Sequence, residues 1–130
     1  MRIALWIVQS LLALAFLAAG VMKATQPLAE LATQMTWIES FPAWAVRAIG
    51  VAEFAGALGL LLPSITRIKP VLTPVAAAAL AALMVGAAGT HVVLGEPAMM
   101  VPSVVLGSLA AFVAWGRFVK EPIAERGTDG

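Results

Sequence analysis

Three observations predict an all-α fold, an integral membrane four-helix bundle with a short interfacial helix between spans one and two. Of the 130 residues, 62% are hydrophobic and only 12% charged, about half the charged share of a soluble domain. Four apolar stretches are each long enough to cross a hydrocarbon core about 30 Å thick. The connections between them carry proline, glycine and charge, which interrupt helices. Residues 1–130 therefore read as a single membrane domain, with spans at about 3–22, 44–62, 71–94 and 98–115 and a polar cytoplasmic tail over 116–130.

The first span, Ile3 to Met22, is uncharged and lies between Arg2 and Lys23. A signal peptide would have a shorter apolar region, about 7–15 residues, so a retained anchor is expected. Gln9 and Ser10 are its polar interior residues and are assigned to helix packing. In the connection Ala24 to Pro42, Pro27 suits a first helical turn. Leu28, Leu31, Met35 and Ile38 recur at helical spacing opposite Glu30, Thr33 and Gln34, the pattern of an amphipathic helix at the interface. It serves as a lid or as a plain cover for the bundle end. The second span closes at Pro63, followed by the cationic turn Ser64 to Pro70.

The third span is rich in alanine and glycine (Ala76 to Ala79, Ala81, Ala82, Gly86 to Gly89), which permit close backbone approach, so a central position is expected for it. The same residues would also suit packing between copies, leaving a homo-oligomer open. Gly95 to Pro97 form a turn, and Pro102 falls in the first turn of span four, where proline is tolerated. The tail from Arg117 is expected to fray. Four spans bring both termini to one side. Arg2, Arg67, Lys69, Arg117, Lys120 and Arg126 lie on that side and Lys23 and Arg47 on the other, which predicts cytoplasmic termini. Trp6, Trp37, Trp44 and Trp115 read as interface belt residues.

Several functions are excluded. A net charge of +1 gives no field for nucleic acid. With no cysteine, the chain has no disulfide, thiolate nucleophile or cysteine-bound metal of its own, and its one histidine rules out a bis-His haem within one chain. Met22, Met35, Met99 and Met100 map near His91, but methionine is common packing material, and no metal site is assigned.

Glu53 is the leading candidate. An ionised side chain deep in the bilayer is costly, about 2.5–3.5 kcal/mol on the insertion scale, and is normally turned inward, paired or functional. Arg47, Gly50 and Glu53 are three apart, so each step turns the helix by about 60° and rises about 4.5 Å. Gly50 leaves a gap along which Arg47 is expected to lie down toward the carboxylate. Lys23 and His91 fall at the same membrane side as Arg47, and Ser108 at a depth similar to that of Glu53. The expected arrangement is an outward-facing pocket with Glu53 at its floor and cations at its mouth. Glu53 and His91 are the candidate acid–base residues, and Lys23, Arg47, Glu53 and Ser108 the candidate ligand contacts. The competing assignment makes Glu53 a salt-bridge partner of Lys23 or Arg47 that sets the helix register.

The motifs GVMK (Gly20 to Lys23), the proline–tryptophan region Phe41 to Trp44, IGVAEFAGALGLLLP (Ile49 to Pro63), GAAGTH (Gly86 to His91) and WGR (Trp115 to Arg117) together resemble the DoxX-like family of small four-helix membrane proteins. The resemblance places Lys23 and Glu53 at that family's usual polar positions. The family takes its name from a subunit of a thiosulfate:quinone oxidoreductase, which implies association with membrane redox complexes; without cysteine, this chain gives no support for sulfur chemistry of its own. The first function class is thus a redox-associated subunit of a bacterial inner membrane that binds a quinone or other apolar small molecule and meets a membrane or periplasmic redox partner. The second is an intramembrane acid–base enzyme, an isomerase, cyclase or hydrolase of a lipophilic substrate. A structural or transport accessory protein is the third. The cofactor is left unassigned.

Overall fold

The computed structural model describes residues 1–126, which form helices and turns with no strand. Four long helices are apolar enough to cross a membrane. The first, α1 (Arg2–Thr25), is followed by the short α2 (Leu28–Gln34) and a 3-10 turn, Thr36–Ser40. Then come α3 (Ala43–Thr66), α4 (Leu72–Val93), a 3-10 turn at Pro97–Met99, and α5 (Met100–Trp115), which ends in a π-helical turn at Gly116–Lys120. Helix α1 packs along α3, α3 along α4 and α4 along α5, while a smaller contact between α1 and α5 closes the ring. Between the helices lies a core that includes Leu12, Phe16, Leu60, Leu80, Met84 and Val113.

The connection between α1 and α3 follows the amphipathic pattern of its sequence. Leu31 and Ile38 are buried with Val46, and Leu28, Met35, Trp37 and Phe41 pack beside them, while Glu30, Thr33 and Gln34 face outward. Pro27 caps α2 instead of entering its first turn. Helix α3 does not stop at Pro63 but runs on to Thr66 and ends at Arg67, whose φ of 57° is left-handed. A proline inside a membrane helix is tolerated where neighbouring groups satisfy the backbone that it frees. Pro63 cannot donate to the Gly59 carbonyl four residues before it, and Gln9 Nε2, from α1, donates to the next carbonyl, that of Leu60, at 2.7 Å.

Close backbone approach occurs where α1 crosses α3, not on α4. A Cβ on Gly20 would lie 2.6 Å from the Phe54 nitrogen, and one on Gly50 would lie 2.6 Å from the Ala24 nitrogen. These two glycines let the helices touch backbone to backbone. Helix α4 turns Ala77, Leu80 and Met84 inward, leaving Ala78, Ala79, Ala82, Gly86 and Gly89 exposed. The expected central position of span three is thus replaced by a flank between α3 and α5. Composition gives the number of small residues but not the face on which they fall.

A buried polar network joins the helices at the end that carries the termini. Gln9 Nε2 also donates to Ser64 Oγ at 3.1 Å, and Ser64 shares a 2.7 Å hydrogen bond with Thr73 of α4. Arg117 Nε donates to Gln9 Oε1 at 2.8 Å, and its guanidinium stacks 5.1 Å from the Trp6 ring centroid. Arg117 is therefore buried within the π-helical turn, where a frayed tail was expected. Beyond it the chain crosses to the α3–α4 turn, where Arg67 Nε donates to the Ala124 carbonyl at 2.9 Å and the Arg126 amide to the Arg67 carbonyl at 2.6 Å. Residues 127–130 of the expected tail lie outside the described residues.

Candidate functional site

Glu53 faces inward because of where it stands in the seam of α3. The buried positions of that helix are Val46, Gly50, Glu53, Ala57, Leu60 and Ser64, alternating four and three apart, the spacing that keeps one stripe against neighbouring helices. The carboxylate occupies a core position about 15 Å from the start of the helix at Ala43. Across the seam, Lys23 in the last turn of α1 places Nζ 2.5 Å from Glu53 Oε1, with the two side chains 12% and 2% exposed. Gly50 makes this contact geometrically available by letting the Lys23 backbone lie directly against α3. The Lys23 ammonium also sits 5.5 Å from the Trp37 ring centroid.

A cavity of about 360 Å³ opens beside this pair, between α3 and α4. Lys23 and Glu53 form one wall, with Ile49. Opposite them, α4 contributes Ala82, Leu83, Met84, Gly86, Ala87, Thr90 and His91, and α5 contributes Ser103. Trp37 and Phe41 cover the end, in edge-to-face contact at 5.4 Å. The hydroxyl of Thr36 donates to Glu96 Oε2 at 2.5 Å, so the cover is tied to the α4–α5 turn. His91 is 7% exposed and its Nδ1 is buried with no hydrogen-bond partner. Burying a polar atom without a partner is unfavourable, on the order of 1–3 kcal/mol, so this nitrogen is suited to receive one from a bound molecule.

Two expected members of the constellation stand elsewhere. Arg47 does not reach Glu53, because the α1 backbone fills the gap at Gly50. Its Nη1 instead donates to the carbonyls of Lys23 and Gln26 at 3.0 and 2.6 Å, closing the C-terminal end of α1. Arg47→Met should consequently lower thermal stability by about 1–3 kcal/mol while leaving the Lys23–Glu53 pair formed, which unfolding and an infrared or NMR probe of the carboxylate would check. Ser108 is exposed and away from the cavity, and Ser103 is the serine that lines it. Five positions along a helix rotate a side chain by about 140°, so depth without face selected the wrong hydroxyl. Trp37, expected in the interface belt, lines the cavity, and Trp6 is the stacking partner of Arg117. Trp44 and Trp115 are exposed, as belt residues would be.

The arrangement combines an apolar chamber with a carboxylate–ammonium pair, an imidazole and a hydroxyl. This is the general form of a small-molecule site. The chain lacks cysteine, so no thiol of its own takes part at the site. Comparison with curated proteins found no match, and comparison with solved structures found none either. The family model described as DoxX-like family matches residues 7–113, from the first span to the last turns of α5, and the chain belongs to that family.

Proposed function

We propose that this protein is a ligand-binding membrane subunit that holds the head of a quinone or a similar lipophile between the Lys23–Glu53 pair and His91. The observation that carries the proposal is the convergence of these groups, one with an unpartnered nitrogen, on a mostly apolar cavity between α3 and α4. Lys23 orients the carboxylate, and Glu53 exchanges the proton that accompanies reduction or oxidation of the bound head. His91, whose buried Nδ1 has no partner, hydrogen-bonds the head on the α4 side. A redox partner at the cavity end supplies the electrons when the head is reduced and takes them when it is oxidised. The distribution of lysine and arginine supports cytoplasmic termini and hence a cavity that faces outward, where a periplasmic partner docks.

Native mass spectrometry with lipid extraction, on wild type beside Glu53→Gln, tests the assignment. A quinone or other lipophile should copurify with wild type and be lost from a Glu53→Gln variant of equal thermal stability. Two empty and equally stable proteins would overturn ligand binding. An empty and strongly destabilised variant would instead make Glu53 a register-setting ion-pair partner. Turnover of a lipophilic substrate by the purified chain alone would favour the acid–base enzyme, since His91 and Glu53 share one chamber.

A further inference from the structure

Two of the exposed small residues of α4 stand at the side of the cavity. Ala82 and Gly86 both line the chamber and are both exposed on the outer face of the bundle. They lie about 16 and 10 Å from the end of α4 at Val93, within the hydrocarbon region. A Cβ on Gly86 would meet nothing within 4 Å. The end of the cavity, by contrast, is covered by Trp37 and Phe41 and tied down through Thr36 and Glu96.

We propose that Ala82 and Gly86 form a lateral doorway through which a membrane-dissolved ligand reaches the chamber, its polar head passing inward to Lys23, Glu53 and His91 while its tail stays among the lipid chains. The inference rests on the ligand-binding role proposed above and narrows the class to long-tailed lipophiles with one hydrogen-bonding head. A chamber of about 360 Å³ is near the lower bound for small-molecule pockets, about 300 Å³, so it holds a substituted ring but not a long alkyl or isoprenoid tail. A doorway of small residues in contact with lipid lets the tail remain outside without desolvating it. It also gives the exposed Ala82 and Gly86 a use other than helix packing.

The absence of native cysteine allows a test that needs no identified ligand. Ser103→Cys places one thiol on the cavity wall, and the full-length variant in liposomes is exposed either to an alkyl maleimide dissolved in the bilayer or to a charged trimethylammonium thiosulfonate in the water. The alkyl reagent should label it readily. Gly86→Leu should slow that labelling by an order of magnitude or more, whereas Gly89→Leu, also in open space but off the cavity lining, should leave it unchanged. Both substitutions should leave thermal stability near that of wild type, because neither Cβ meets a neighbour. Labelling by the charged reagent should be slow and insensitive to residue 86. Equal alkyl labelling rates in the two leucine variants, or faster labelling from water than from the bilayer, would overturn the doorway. Decylubiquinone added before the alkyl reagent should protect the thiol; loss of that protection with the Gly86 effect intact would overturn the quinone assignment alone.

Discussion

Replacing Lys23 with methionine should destabilise the protein by about 3–5 kcal/mol, because it leaves a buried carboxylate without its cation. Glu53 is 2% exposed in its side chain, and among the described residues its carboxylate accepts from Lys23 Nζ. Removing both charges is different in kind, since neither a stranded anion nor a stranded cation remains. Lys23→Met combined with Glu53→Gln should therefore recover most of the lost stability, within about 1 kcal/mol of wild type. Unfolding titrations in detergent on the four proteins of this cycle would measure the coupling directly. The double variant also separates the two roles of the pair: it should fold yet retain no lipophile. Retention of the ligand by that variant would confine the pair to a structural role, and additive destabilisation would show that the two groups do not depend on each other.

Gly50→Ala should be nearly as damaging, at about 3 kcal/mol, although it adds only one methyl group. The new Cβ would fall 2.6 Å from the Ala24 nitrogen and 2.8 Å from the Lys23 carbonyl carbon, backbone atoms that cannot swing aside. Relief requires α1 and α3 to separate along their crossing, which also draws Lys23 away from Glu53. Gly89→Ala provides the contrast. Its Cβ meets nothing, so the change should stabilise by about 0.5–1 kcal/mol through helix propensity alone. Thermal unfolding of the two variants should thus shift in opposite directions. A similar response from both would mean that the α1–α3 contact is looser than the structure shows.

The fold was legible because each of its determinants is local. Apolar length fixes a span, proline and glycine mark connections, and the alternation of Leu28, Leu31, Met35 and Ile38 with polar residues marks the covering helix. The depth of Glu53 and the shared membrane side of Lys23 and His91 follow from counting residues along the spans, and these three do line one cavity. What was not legible depends on rotation and on the partner helix. Ser108 and Ser103 differ by face, and Arg47 was diverted because the gap beside Gly50 admits a whole helix backbone and not a side chain. The pairing of Gln9 with Arg117, 108 positions apart, joins two helices whose contact is small, and neither residue's neighbours in sequence announce the other.

The polar network around Gln9 has a mechanical consequence. It links α1, α3, α4 and the turn after α5 by directed hydrogen bonds at one end of the bundle. At the opposite end α3 and α4 are separated by an open chamber. The molecule is built like tweezers with a riveted heel and lightly clasped tips, the clasp being the exposed hydrogen bond from Thr36 to Glu96. Displacement of α4 away from α3 should therefore need that bond to open and then be greatest around Thr90 and His91. The heel fixes the axis of that movement without taking part in whatever the tips hold.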